Sequence, residues 1–413
     1  MRIAIVGSGI SGLTCAYLLA GAHEVTLLEQ DDRPGGHTHT VSVVHEGRSI
    51  SVDTGFIVFN ERNYPNFCSL LARLRVESRP TTMSFSVRDD ADGFEYGGSS
   101  LLGVLGETSN LLRPRWWSVM RGVARLGKSG LAALRELPEG ATVADLCSTG
   151  RFSRAFLDGY LIPMAAAIWS APRDDLMRFP AEFLLRFFDN HGMLDLSRRP
   201  QWRTVVGGSR TYIDAMLRVL GDRLRLGRAV RSVSRSPRHV LVRTTEGTEQ
   251  FDEVILAAHA DESLAMLSDA APEERDVLCA MPYQHNDVAL HTDCTLLPRR
   301  RRCWAAWNSL ATDDPRLPAV VTYNMNLLQG LQTRVPLCVT LNATDRVDPS
   351  KLLRRFSYAH PLYTVEGERA RASWARISGV NRVHFCGAYW GNGFHEDGVN
   401  SALRVCERLG VRL

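Results

Sequence analysis

A short apolar strand, residues 2–6, runs straight into Gly7-Ser8-Gly9-Ile10-Ser11-Gly12, and a second strand, residues 24–29, ends in an acid at Glu29. No other feature constrains the fold as much. Strand, glycine turn, helix and acid-tipped strand make a βαβ unit shaped for the diphosphate of a dinucleotide. Gly7 permits the tight turn, Gly9 lets backbone approach a pyrophosphate, and Gly12 lets the helix pack on the sheet. The helix at residues 11–20 is apolar at Leu13, Ala16, Tyr17 and Ala20, and its positive end faces the diphosphate. A carboxylate at Glu29 suits ribose hydroxyls and disfavours a 2′-phosphate. Arg33-Pro34-Gly35-Gly36 follows. Nicotinamide sites do not need this second glycine pair, and it favours FAD over NAD.

At 413 residues the chain has room for two or three domains. Hydrophobic residues at 45% and charged residues at 23% suit a soluble globular protein with real cores. The formal charge of +4 is modest, and no nucleic-acid recognition motif is present. Residue 2 already belongs to the first strand, so no signal peptide is expected, and no apolar run is long enough to span a bilayer. The nine cysteines are scattered without C-x-x-C spacing, which indicates neither a disulfide framework nor a zinc site. His37 and His39 lie two apart without an acidic partner, so no metal is expected. The expected compartment is a reducing cytoplasm, with attachment to the membrane periphery left open.

Dinucleotide-type alternation fills residues 1–80. Residues 81–204 turn helical and rich in Leu, Trp and Arg, with helices expected at 146–162 and 182–191. Strands are expected again at 224–235, 240–242 and 254–257. A mixed stretch follows at 269–379, with strand candidates at 319–323 and 337–341, and strand, glycine loop and helix close the chain. The predicted class is α/β: a Rossmann-like FAD-binding domain of the glutathione-reductase, amine-oxidase-like type, with an inserted mixed α+β substrate domain. The cofactor domain is assigned residues 1–80, 205–268 and 380–413, and the substrate domain residues 81–204 and 269–379.

These pieces resemble the flavin-containing amine oxidase superfamily. Gly7 to Gly36 carries the dinucleotide motif and doublet, and Asp53-Thr54-Gly55-Phe56-Ile57-Val58 resembles the segment passing under the isoalloxazine. Gly207-Gly208-Ser209 resembles the pair that re-enters the cofactor domain, and Ala229-Val230 the strand meeting adenine. Val383-His384-Phe385-Cys386-Gly387 through His395-Glu396-Asp397-Gly398-Val399 resembles the closing flavin motif. The resemblance implies an FAD site formed by Gly7, Ser8, Gly9, Ile10, Ser11, Gly12, Glu29, Gln30, Gly35, Gly36, His37, Thr38, Gly55, Phe56, Ile57, Val230, Gly387, Asp397 and Val399. A helix beginning near Val399 would aim its first N–H groups at the flavin edge where negative charge develops on reduction, with Asp397 as its cap or a ribityl contact. The run Gly35-Gly36-His37-Thr38-His39-Thr40, together with Trp304-Ala-Ala-Trp-Asn308, Tyr323-Asn-Met-Asn326 and Tyr358-Ala-His-Pro361, is similar to a narrower group. It comprises bacterial oxidoreductases encoded beside cyclopropane fatty acid synthases, which implies such a methyltransferase as a functional partner.

Departures from the superfamily pattern bear on the chemistry. Where monoamine oxidases attach flavin through cysteine, Leu362 falls, and Cys338 lies too far upstream, so noncovalent FAD is expected. The only lysines are Lys128 and Lys351. Neither falls where many amine oxidases hold a lysine beside the flavin, which weakens an amine oxidase reading without excluding it. At the aromatic pair of those oxidases stand His395 and Tyr363, the catalytic candidates. A histidine facing flavin suits acid/base work, and the competing reading is that His395 only hydrogen-bonds its loop. Trp307, Tyr323, Asn324 and His360 are candidate substrate-binding residues, with packing in the core as the alternative.

Residues 110–137 set Arg113, Arg115, Arg121, Arg125, Lys128 and Arg135 among Leu111, Leu112, Trp116, Trp117, Met120, Val123 and Leu131, and Arg299-Arg300-Arg301-Arg302 adds a basic cluster. Such a segment suits an anionic membrane surface or, alternatively, inward packing of its tryptophans; Gly122, Gly127 and Gly130 weaken it as a continuous helix. Three functions follow as expectations. The first is FAD-dependent oxidation, desaturation or double-bond isomerisation of an apolar, lipid-like small molecule. The second is amine oxidation. The third is a non-catalytic flavoprotein accessory to a lipid-modifying methyltransferase.

Overall fold

The computed structural model describes residues 1–195, 199–311 and 320–413. Its first layer is a five-stranded parallel sheet in the order Leu224–Arg225, Glu24–Leu28, Arg2–Val6, Glu253–Leu256, Val383–Phe385. Ile3, Ala4, Ile5 and Val6 are all buried, as a central parallel strand covered on both faces requires. The helix Ile10–Leu19 crosses from the first strand to its neighbour, and the last helix, His395–Arg408, packs beside it. That last helix buries Val399, Ala402, Val405 and Cys406 at helical spacing.

Three small sheets of two or three strands flank a second large layer, a seven-stranded mixed sheet. Its order is Leu352–Pro361, Tyr283–His291, Cys338–Leu341, Val320–Asn324, Trp307–Leu310, Phe85–Asp89 and Phe94–Gly97. All its pairs are antiparallel except Trp307–Leu310 with Phe85–Asp89. Val288, Leu290, Val339 and Leu341 pack with Val43, Val52, Ile57 and Val58 of the N-terminal segment. Phe85, Val87 and Val321 join a separate helical core with Val119, Phe156 and Phe188.

The packing departs from sequence expectation in several places. Val277 and Leu278, with Ala370, Trp374 and Ile377, join the nucleotide-sheet core. The helices Pro272–Cys279, Val365–Ala372 and Trp374–Ile377 thus pack with the parallel sheet. The helix expected over 146–162 is interrupted after Val143–Ser148 at Gly150, whose φ of +70° reverses the chain; it resumes at Arg154–Phe156 and runs on to Trp169. The strand expected from 319 is seen as Val320–Asn324, and Ala319 lies outside the described residues. Pro114–Ala133 is one unbroken helix. Its glycines serve close packing: a Cβ on Gly122 would stand 2.3 Å from the Phe156 ring, and one on Gly127 2.5 Å from the Leu194 carbonyl oxygen.

Candidate active site

The glycine turn uses three glycines in three ways. Gly7 has φ +100°, and a Cβ there would meet the Ala257 carbonyl at 2.9 Å. A Cβ on Gly12 would stand 1.9 Å from the Gly7 carbonyl oxygen, so the first helix touches the turn backbone to backbone. Gly9 is the opposite case, because no protein atom lies within 4 Å of where its Cβ would stand. The doublet closes over it: Gly36, φ +55°, brings its own Cβ position within 3.2 Å of the Gly9 Cα, and Gly35 N–H donates to the Ser8 carbonyl at 3.0 Å. Ile10 and Ser11 begin the helix behind this loop, both buried.

Glu29 anchors the loop from the second strand. It accepts from Ser8 N–H at 2.8 Å, from the Ser8 hydroxyl at 2.6 Å and from Asp31 N–H at 3.0 Å. A carboxylate offers about four acceptor directions, so one remains for a ribose hydroxyl. Gln30 is exposed beside it. The chain before Val230 runs alongside, with Arg228 N–H donating to the Glu29 carbonyl at 2.7 Å. Asp53 ties the 53–57 segment to the re-entry glycines by accepting from Ser209 N–H at 2.9 Å. Burial pushes its carboxyl up to about 6 against opposing hydrogen bonds from Thr40 and Ser209. Phe56 N–H donates to the His37 carbonyl at 2.9 Å, the Ile57 carbonyl accepts from the Thr204 hydroxyl, and Gly55 is pressed against the His37 carbonyl.

The last helix begins at His395, four residues before the position expected at Val399. Asp397, its third residue, accepts from the Phe394 N–H at 2.9 Å and so closes the first turn early. Burial raises the Asp397 carboxyl to about 6. A Cβ on Gly398 would lie 2.7 Å from Ile10 and 3.0 Å from the Ser11 hydroxyl. Two helix N-termini, each with amides that no intrahelical acceptor can reach, therefore converge beside the glycine loop. Gly387 N–H, at the strand exit opposite, donates to the Ser401 hydroxyl at 3.0 Å.

The His395 ring lies inside the protein. Its Nε2 is 2.9 Å from the Thr38 hydroxyl and 3.0 Å from the Tyr212 hydroxyl, and those two hydroxyls also meet each other. The ring stacks on Phe56 at 3.5 Å between centroids. Burial pushes the imidazole down to about 3, so it is neutral. His37 and His360 lie nearby, both neutral. The His37 ring is 5.3 Å from His360 and 5.9 Å from His259; burial holds His37 well below its ordinary value and His360 at about 4. Asn342 Nδ2 donates to Asn286 Oδ1, which leaves Asn286 Nδ2 to donate to His360 Nδ1 at 2.8 Å. Neutral His360 therefore carries its proton on Nε2.

Tyr363 occupies a different environment. It stacks on Phe183 at 4.6 Å, with Phe179 at 5.8 Å and Trp169 at 6.4 Å, while Phe394 stacks on Phe187 at 5.0 Å. Arg371 lies over the Tyr363 ring at 4.9 Å. Among the described residues the Tyr363 hydroxyl and Trp169 Nε1 are buried without a hydrogen-bond partner, a state that buried polar groups rarely tolerate unless something else is to be bound. Burial raises the Tyr363 phenol well above its ordinary value, so it is protonated at neutral pH. Gly393, on the loop leading to His395, lies against this hydroxyl.

Of the other candidates, Trp307 and Tyr323 pack against the same core as Tyr363. The Tyr323 hydroxyl donates to the Ala167 carbonyl at 3.2 Å, and Trp307 packs edge-on against it. Asn324 Oδ1 caps the helix Met325–Gln329, so that side chain is engaged in local structure. Tyr212, Trp169, Phe183 and Arg371 had no local signal in the sequence. Only the glycine pair before Tyr212 hinted that its helix returns to the cofactor side.

The cradle fits a flavin dinucleotide: backbone open at Gly9, two converging helix ends, an acid with spare acceptor capacity, and orphaned polar atoms next door. The chain matches the family of flavin containing amine oxidoreductases over residues 10–292 and belongs to it; its cofactor is FAD. L-amino-acid oxidase of Daboia russelii is 59% identical over 47 residues, which are 11% of this chain and 9% of that protein. The corresponding enzyme of Trimeresurus stejnegeri is 54% identical over 47 residues with the same shares. The chain thus aligns with about 9% of the length of these curated relatives. In solved structures, the fold is shared with a fatty acid isomerase from P. acnes that produces CLA, at TM-score 0.69, 17% identity and 98% coverage of both chains. It is shared equally with putrescine oxidase bound to putrescine, at TM-score 0.69, 16% identity and 99% coverage of both. Cyclohexylamine oxidase from Brevibacterium oxydans IH-35A has TM-score 0.68, 16% identity and 99% coverage of both.

Proposed function

We propose that this protein is an FAD-dependent oxidoreductase that oxidises, desaturates or isomerises an apolar, lipid-like molecule. The observation that carries this reading is the cluster of aromatic rings around the Tyr363 hydroxyl, which has no partner among the described residues and lies against Gly393 on the loop into the last helix. Bound FAD supplies a two-electron acceptor for hydride. Gly7 to Gly12 and Gly35 to Thr38 would hold its diphosphate, Glu29 the ribose, Val230 the adenine side, and Gly387 with residues 395–399 the flavin side. The first-turn amides of the last helix favour negative charge at that end. His395 acts as a positioning residue: with Thr38, Tyr212 and Phe56 it pins the start of the helix. Tyr363, protonated through neutral pH, holds a proton at its hydroxyl and orients substrate rather than abstracting a proton. Phe179, Phe183 and Phe187 exclude water and suit acyl or alkyl surface.

Amine oxidation is the second reading, favoured by the family match. Lysine placement counts against it: Lys351 pairs with Asp293 and Asp348, and Lys128 lies exposed on the helix Pro114–Ala133. The nine free thiols support a reducing cytoplasm as its compartment. Among the described residues no helix is long and apolar enough to cross a membrane, and peripheral contact with a membrane belongs to this proposal. So does a methyltransferase partner acting on the same lipid. Anaerobic titration of the yellow holoprotein with unsaturated fatty acids, phospholipids and amines tests the assignment, with product analysis by mass spectrometry. Bleaching or a shifted double bond with the lipids is expected. Bleaching by amines alone, or bound lipid left unchanged with the flavin oxidised, would favour the amine oxidase or the accessory role respectively.

A further inference from the structure

An exposed apolar corner lies outside the segments that carry the cofactor motifs. The short helix Leu101–Leu105, the turn Thr108–Leu112 and the start of the helix Pro114–Ala133 form one compact unit. Trp116 Nε1 donates to the Val104 carbonyl at 3.0 Å, Trp117 Nε1 to the Leu111 carbonyl at 2.8 Å, and Asn110 Nδ2 to the Leu105 carbonyl at 2.8 Å. This rigid corner holds its large side chains outward: Leu101 is 88% exposed, Leu102 64%, Leu112 87% and Trp117 44%. Isolated exposed leucines are ordinary, but a cluster of this kind marks an interaction surface.

The charge beside it is one-sided. Residues 108–135 contain six basic residues and no acid. Trp117, Arg121, Lys128, Leu131 and Arg135 follow one another at helical spacing on a single exposed face. The carboxylates bordering that face are already held, Asp89 and Asp92 by Arg115 and Glu136 by Arg151. Exposed Arg301 and Arg302 flank the short helix, whose Gly103 sits against the Arg302 carbonyl. Leucines at the apex, a tryptophan at the shoulder and a cationic row behind it match the layering of a bilayer surface: acyl chains, interface, anionic headgroups.

We infer that this corner docks the protein onto anionic phospholipid membranes, inserting Leu101, Leu102, Leu111 and Leu112. The inference deepens the lipid-like substrate reading and rests on it for its purpose, but it is tested without substrate so that each can fail alone. Holoprotein is sedimented with vesicles of phosphatidylcholine, and of phosphatidylcholine mixed with phosphatidylglycerol. Preferential binding to the mixed vesicles is expected. Leu102→Glu/Leu112→Glu should weaken it at least about tenfold, and Arg121→Glu/Lys128→Glu about tenfold, with flavin content and melting temperature unchanged. Absence of binding, equal binding to both vesicle types, or binding that survives both variants overturns the inference. Self-association lost on Leu112→Glu without vesicle binding would assign the face to a second copy of the chain and overturn it equally.

Discussion

At the glycine turn the backbone is left open at Gly9, whereas the surroundings of Tyr363 are built mostly of aromatic rings from distant segments. The cradle is crowded everywhere except at Gly9: carbonyls press on the Cβ positions of Gly7, Gly12 and Gly55. The aromatic cluster is held instead by ring contacts among residues 169–187, 363 and 394, and it leaves the Tyr363 hydroxyl without a partner among the described residues. A site made of backbone requires particular residue types at fixed spacing. A site made of side-chain volume can be assembled from many sequences.

The strongest test of that contrast is Gly12→Ala. Its new methyl would overlap the Gly7 carbonyl, and about 3 kcal/mol or more of stability should be lost, read by thermal unfolding and soluble yield. Tyr363→Phe should do the reverse. Stability should hold or rise by about 1 kcal/mol because an unsatisfied hydroxyl is removed, while anaerobic flavin reduction by the active substrate slows about 100-fold. Unchanged reduction would show that the hydroxyl does not touch substrate. His395→Ala should cost about 2 kcal/mol by emptying the space stacked on Phe56 and removing the ring nitrogen shared by the Thr38 and Tyr212 hydroxyls. As a positioning residue its loss should weaken flavin binding and leave the pH dependence of the chemical step unmoved. Gly9→Ala separates fold from ligand: stability should stay within about 0.5 kcal/mol, while FAD affinity, measured by fluorescence on reconstitution, falls at least about tenfold.

A further test is in pH. The folded His395 titrates at about 3, below its ordinary 6.5. As pH falls from 6.5 toward 3 the unfolded chain therefore takes up a proton that the folded ring refuses. Wild type should lose stability relative to His395→Ala across that window, by at most about 1.4 kcal/mol per pH unit. Parallel denaturant titrations at pH 7 and pH 5 would measure it, and identical slopes would place the ring in water. Asp53 and Asp397, raised to about 6, act with the opposite sign as pH rises from 3.8 through 6, and both remain in the variant.

The first βαβ unit, the acid at Glu29, the doublet and the closing motif were legible in the chain. Each rests on local demands: a positive φ, a missing Cβ, an apolar strand covered on both faces. Where the last helix begins was misread by four residues, because the capping carboxylate of Asp397 reaches back to Phe394, a contact that spacing alone does not announce. Asn324 looked like a pocket residue because its strand was placed correctly, yet its side chain turns to cap the next helix. The glycines at 122 and 127 looked like helix breakers, but they are where Phe156 and the Leu194 carbonyl must fit.

By itself the sequence determined the glycine turn of the first βαβ unit and the closing strand, loop and helix that meet it from the other end of the chain. Those features follow from backbone geometry, which a few residues specify. Tertiary structure alone decided that His395 would be enclosed by Thr38, Tyr212 and Phe56, that the Tyr363 hydroxyl would find no partner among the described residues, and that Leu101 and Leu112 would be exposed beside an acid-free helix. Such outcomes depend on which surfaces compete for burial once distant segments meet, and no short stretch of residues carries that information.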